Sequence, residues 1–356
     1  MSEALRGPAT TPRLRWSIDV AAVVTGRPLV LGGSEPSVVV ASHSGRVVRA
    51  AIADGRVRYD VALDGIVWSS PAVDPSGSVW IGADDDTLYR LGDDGVVRSR
   101  VRLGDCEPPR AAGPEGTRCD VDGGPVVLPD GEVFVGADGV YRIAPDGTIR
   151  WRSPGDRPAR HVATAPLVTD ALVVWGGYDG NLTAVDREGK PQWSLRIGAD
   201  VDGAPVLAGD RILAGADDGK LYAVDRRGAL SWSFATKGPI RAAAAIAGDG
   251  SVLVPSSDGK LYALEPSGTL RWSFTTGGAI VATPTLDVDG NVYFGSRDDR
   301  LWSLSDRGAL RWSLEFPADL DAPVALAPGG VLVVACDDGI VRAVAQGDLA
   351  ATPTTG

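Results

Sequence analysis

Residues Ser257 to Trp272 read SDGKLYALEPSGTLRW: an acidic turn, a short alternating strand, a glycine turn and a second strand that ends on tryptophan. Copies of this unit run through the chain. Taking the residue before the Leu-Tyr-like pair as a marker, they fall at Gly45, Asp86, Gly139, Gly180, Gly219, Gly259, Asp299 and Gly339, in steps of 41, 53, 41, 39, 40, 40 and 40 residues. The turn glycine repeats in phase at Gly55, Gly95, Gly147, Gly189, Gly228, Gly268, Gly308 and Gly347. Four residues after it stands Trp151, Trp193, Trp232, Trp272 or Trp312, with Tyr59 and Ser99 in two repeats. Eight such copies of short alternating strands predict an all-β fold, an eight-bladed β-propeller with one four-stranded antiparallel blade per repeat.

The eighth copy, from Cys336, reaches Gly347 and passes into a polar tail without a tryptophan. The missing piece stands at the other end of the chain, where Leu14-Arg15-Trp16-Ser17 matches Leu270-Arg271-Trp272-Ser273. The N-terminal strand is therefore expected to complete the last blade, which removes the open edges of a linear array. The layout that follows is a polar tail over 1–13, one propeller over 14–347 and a C-terminal tail over 348–356. An insertion at 104–121 lies between blades two and three. Trp16, Trp151, Trp193, Trp232, Trp272 and Trp312 are the expected structural anchors, each wedged against a neighbouring blade.

A net charge of −11 argues against nucleic acid as a partner, because phosphate binding relies on a basic surface. It suits a protein or peptide of basic character instead. No apolar run is long enough to span a membrane, and a closed ring needs no partner to fold, so a monomer is expected. The first fifteen residues lack the apolar stretch of a secretory signal, so the chain as written reads as cytoplasmic. A periplasmic or outer-membrane-associated location applies if a leader was removed. Cys106 and Cys119 bracket CEPPRAAGPEGTRC, where a disulfide would staple the loop by about 3 kcal/mol; two free thiols are the alternative. Cys336 falls in a strand and reads as a small apolar residue. No zinc-ligand spacing involves His43 or His161, and no metal is expected.

Ala223 to Trp232, AVDRRGALSW, resembles the tryptophan-docking repeat of the pyrroloquinoline-quinone (PQQ) type propellers, a family that includes quinoprotein dehydrogenases and BamB-type assembly factors. Ala184 to Trp193 and Ala263 to Trp272 follow the repeat less strictly. The likeness covers nearly the whole chain and implies an eight-bladed propeller. Quinoproteins of this family use an adjacent cysteine pair over the cofactor and calcium ligands on long added segments. Here no two cysteines are adjacent and the blades are close to minimal length, so no cofactor is expected, with PQQ and calcium as the alternative.

Function is expected at the mouth of the central channel, where the segments leading into each innermost strand meet the turns between second and third strands. Two lead-ins are long: Ser99 to Pro125 and Trp151 to Pro166. Both fall on the same face and would form a lid over blades three and four. The acidic turns Asp84-Asp85-Asp86, Asp138, Asp179, Asp217-Asp218, Asp258, Asp298-Asp299 and Asp337-Asp338 form a carboxylate rim on that face. Each is also an ordinary turn former. Three residues before each blade's proline position stand Thr25, Trp68, Asp122, Ala163, Asp202, Arg241, Val281 and Leu320, expected to line the mouth. Trp68, Asp122, His161, Asp202, Arg241, Arg157 and Arg160 are the candidate binding residues. Asp122, Asp202, His161 and Arg241 are also the candidate acid/base set of an enzyme. The preferred reading is a non-catalytic scaffold that binds a peptide or protein segment at the acidic mouth. An enzyme at the same place, with or without PQQ, is the competing one.

Overall fold

The computed structural model describes residues 5–104, 120–153, 162 and 164–347. Within them the strands form eight four-stranded antiparallel sheets, and the sole helical element is a 3-10 turn at Pro328–Gly330. No helix is long and apolar enough to cross a membrane. Blade six shows the common plan: Ala245–Ile246, Val252–Ser256, Lys260–Leu264 and Leu270–Thr275 pair in chain order from hub to rim. Seven blades are such meanders, and the eighth is spliced. It takes Ala325–Ala327, Val331–Ala335 and Ile340–Ala345 from the C-terminal end and Arg13–Asp19 from the N-terminal end. Arg13 lies opposite Ala345 and Asp19 opposite Ile340, with a register shift between Leu14 and Trp16. A comparable shift, between Ala263 and Leu264, interrupts the outer ladder of blade six, so the spliced strand reproduces the repeat's irregularity as well as its sequence.

Position in the blade decides the hydrophobic pattern. Second strands such as Val252–Ser256 are buried along their whole length, because blades pack on both of their faces. Outer strands such as Leu270–Thr275 alternate, with solvent on one face. The core is a series of clusters between neighbouring blades, as where Trp80 and Leu88 of blade two meet Val133 and Tyr141 of blade three. Innermost strands are only two or three residues long and begin just after the predicted prolines, as Pro71 before Ala72–Val73 and Pro284 before Thr285–Leu286. A proline there removes no ladder donor.

The tryptophans dock on the next blade. Trp272 Nε1 donates to the Asp306 carbonyl at 3.2 Å, and its ring lies against Gly308 of the same turn. Gly308 has φ +77, and a Cβ there would come within 2.5 Å of the indole, so glycine is required twice over. Trp16 does the same across the splice, with its ring on Gly55 and Nε1 donating to the Ile52 carbonyl at 2.8 Å. Cys336 is fully buried in blade eight, where burial pushes its thiol up to about 12.

The lead-ins to blades three and four lie mostly at 105–119 and 154–161. Cys106, Cys119, Arg157, Arg160 and His161 therefore fall outside the described residues. At the N-terminus, the stretch read from sequence as a polar tail runs along blades seven and eight from Leu5 onward. Val288 N–H donates to the Leu5 carbonyl at 3.1 Å, and Arg6 pairs with Asp289 at 2.8 Å.

Candidate functional site at the channel mouth

Each turn between second and third strands leans on the segment that leads into the following blade, so the mouth is a ring of lateral pairs. His43 of blade one meets Trp68, ring centroids 3.8 Å apart and tilted by 43°. His43 Nε2 also shares a 3.1 Å hydrogen bond with Thr25 Oγ1. Burial lowers the His43 pKa, and the Asp122 carboxylate opposes that shift. Asp217 of blade five accepts from Arg241 Nε and Nη2, both at 2.8 Å, and Asp202 lies 3.9 Å from the same guanidinium. The hydrogen bonds to Asp217 raise the Arg241 pKa. Arg297 of blade seven grips Asp321 with Nη2 at 2.6 Å and Nε at 3.0 Å. Aromatic on aromatic and cation on anion are self-compensating pairs.

The pair from blades two and three is different. Asp84 meets Asp122, a carboxyl against a carboxyl, and Asp120 completes a trio whose ligand oxygens all lie within 4.8 Å of one another. Burial, then the charge of Asp122 and the hydrogen bond between the two carboxyls, then Asp120, push Asp84 up to about 8. Trp68 Nε1 donates to Asp84 Oδ2 at 3.3 Å and opposes the shift. Its indole remains 45% exposed, a flat face beside the three carboxyls. A second trio, Asp319, Asp321 and Asp337, stands at blade eight, where burial and then Asp321 push Asp337 up to about 6. That trio has Arg297 against it. Oxygen-only sets of this kind suit a hard cation, an ammonium or a guanidinium.

Two expectations about the mouth need correction. The residue three before Pro323 is Leu320, but its side chain is buried in the core of blades seven and eight. The lead-in of blade eight is one residue shorter than those of blades five, six and seven, so Asp321 takes the mouth position. The carboxylate rim is also divided in two. In these acidic turns, the aspartate just before the marker residue is tied to the blade itself: Asp218 accepts from Tyr222 Oη at 2.5 Å, Asp258 from Tyr262 at 2.7 Å and Asp138 from Tyr141 at 2.6 Å. Asp298 accepts from Trp302, and Asp338 from Arg342. The preceding residue, as in Asp84, Asp217 and Asp337, belongs to the mouth.

Of the candidate residues, Trp68 and Asp122 come together through Asp84, while Asp202 and Arg241 form a separate group with Asp217. Sequence reasoning missed His43, Asp120 and Asp321 at the mouth.

Two stretches, 84–245 and 217–352, match the family profile described as outer membrane protein assembly factor BamB. The chain belongs to this family of PQQ-like propellers. No curated protein sequence matches it. Among solved structures, BamB from Moraxella catarrhalis superposes with a TM-score of 0.73 at 18% identity, covering 94% of this chain and 100% of that one. The computationally designed protein Ika8 gives 0.74 at 18% identity, covering 91% and 96%. At such identity the two structures speak for the shared propeller. The BamB-type match and the splice of Arg13–Asp19 into blade eight agree on a closed ring of PQQ-like repeats.

Proposed function

We propose that this PQQ-like propeller is a non-catalytic interaction scaffold. Its channel mouth takes a basic segment of a partner protein, with a lysine or arginine head held by Asp84, Asp120 and Asp122 against the face of Trp68. The observation that carries this is the mutual repulsion of three carboxyls, Asp84, Asp120 and Asp122, gathered beside the exposed indole face of Trp68. A bound cation relieves that repulsion, and an exposed indole adds a cation–π contact. The family match, whose description names an assembly factor, supports a role in protein contact.

Against the enzyme reading, Asp202 and Arg241 are engaged with Asp217 in a group apart from Asp122. Nor does the mouth suit PQQ. Cys336 is buried in blade eight, so no accessible thiol pair is offered by the described residues.

The test is calorimetric titration with a lysine- and arginine-rich peptide and with its glutamate-substituted counterpart. Wild type is expected to bind only the basic peptide, and more weakly as salt rises from about 0.05 to about 0.5 M. The double variant Asp84→Asn, Asp122→Asn is expected to lose at least about tenfold in affinity, roughly the worth of one charge-assisted contact. Equal binding by the variant overturns the site. A visible chromophore retained after incubation with PQQ and calcium overturns the cofactor-free reading.

A further inference from the structure

The residue just before each blade's proline position is Arg27, Ser70, Gly124, Ala165, Ala204, Ala243, Thr283 and Ala322. Seven are small, as the crowded hub demands, and one is arginine. Arg27 lines a cavity of about 830 Å³ within the channel, bounded by blades one, two, seven and eight. The cavity reaches the face opposite the acidic mouth at Leu286, Asp287 and Val288, beside Leu5. Among the described residues no carboxylate forms an ion pair with the Arg27 guanidinium, and its one hydrogen bond is from the backbone N–H to Ser70 Oγ at 2.9 Å. The side chain is exposed to the cavity, and the protein around it lowers its pKa by desolvation.

Asp287 does not supply the missing charge. Its oxygens are taken by Asn291 Nδ2 at 2.9 Å, Tyr293 Oη at 3.0 Å and the Gly7 N–H at 3.3 Å. A guanidinium exposed to the cavity with no carboxylate partner is free to take an anion there, in a chain whose net charge is −11. Around it the walls are apolar: Pro28, Pro71, Leu286, Val288 and Leu326, with Val288 50% exposed. The size lies within the range of small-molecule sites.

We propose that this cavity is a binding site for a small organic monocarboxylate with an apolar body. The carboxylate meets the Arg27 fork in a bidentate pair, helped by the hydroxyls of Ser70 and Thr283, and the apolar part lies along Leu286, Val288 and Leu326. One arginine beside the Asp287 carboxylate favours a single negative charge over a polyanion. The site is independent of the acidic mouth and stands or falls without it.

The experiment uses the full chain with octanoate as the probe and 1-octanol, octylamine and inorganic phosphate as comparators, read by calorimetry and by thermal midpoint. Octanoate is expected to bind at least about tenfold more tightly than any comparator and to raise the midpoint. Arg27→Leu is expected to abolish that preference while keeping the ligand-free midpoint, since the guanidinium is exposed to the cavity and has no ion-pair partner to lose. Val288→Asp, at an exposed position, is expected to weaken octanoate several-fold without loss of fold. The proposal is overturned if Arg27→Leu binds octanoate as wild type does, or if phosphate binds as well as octanoate. It is equally overturned if Arg27→Leu lowers the ligand-free midpoint, which would mean that the guanidinium already has a structural partner.

Discussion

Trp312 Nε1 donates a 3.0 Å hydrogen bond to the carbonyl of Pro8, 304 residues earlier in the chain. In blade six the corresponding indole, Trp272, bonds the outer turn of the blade that follows, at the Asp306 carbonyl. Blade eight has no such covalent turn, because its third strand ends at Ala345 and its outer strand begins anew at Arg13. The segment around Pro8 stands in for that turn, and Trp312 is buried against it. The head of the chain therefore closes the ring twice, once as a strand and once as a replacement turn.

Trp312→Phe keeps most of the ring and loses the donor, leaving the Pro8 carbonyl without it. A loss of about 1–3 kcal/mol in urea unfolding is expected. In a chain truncated through Ala9 the same substitution is expected to cost about 0.5 kcal/mol or more less than in the full chain, since its partner has gone. Identical costs in the two backgrounds would show that the turn replacement contributes nothing.

Gly77 and Gly308 separate backbone strain from indole docking. Their φ values are +84 and +77, but a Cβ on Gly77 meets nothing within 4 Å, whereas one on Gly308 meets Trp272. Gly77→Ala is expected to cost about 1–2 kcal/mol from the left-handed backbone alone. Gly308→Ala is expected to cost about 1–3 kcal/mol beyond that from overpacking. Equal thermal shifts for the two variants would remove the docking argument.

The Asp84 carboxyl keeps its proton to about pH 8 in the fold and releases it near the ordinary carboxylate value of about 3.9 when unfolded. Between those limits the folded chain holds the extra proton. Its contribution to stability is full below the unfolded value and is lost as pH rises through 8. Asp122→Asn removes the facing carboxylate, so the variant's midpoint is expected to gain on wild type from about pH 5 to about pH 9. A difference that stays flat across that range would argue against the shared-proton pair.

Arg241 compensates Asp217 and stands near Asp202, so removing it enlarges the acidic field at the mouth. Arg241→Ala is expected to tighten binding of a basic peptide by a few-fold at low salt and to leave high-salt binding unchanged. Weaker binding at low salt would instead make Arg241 a contact residue.

Much of this was open to a reader of the sequence, and the failures have local causes. The buried residue before the mouth position is Val121, Val201, Ile240, Ile280 or Leu320, an apolar series that gives the true register. Counting back from proline goes wrong in blade eight because its lead-in is one residue short, which hid Asp321. The division of the rim was legible too, since Tyr222 and Tyr262 follow Asp218 and Asp258 at a spacing that carries hydroxyl to carboxylate. His43 carries no such signal, because nothing in its own repeat says that it will meet Trp68.

By itself the sequence determined the number of blades, the splice of Arg13–Asp19 beside Ile340–Ala345, the docking tryptophans and the acidic face, because each depends on spacing inside one repeat or on a copy of it elsewhere. The tertiary structure alone decided which charges are compensated. Asp84 with Asp122, Asp217 with Arg241 and Arg297 with Asp321 join the turn of one blade to the lead-in of the next, and Arg27 is left facing a cavity between four blades. Those relations depend on how the ring brings separate repeats together in space, and Coulomb interactions follow distance and burial rather than order along the chain.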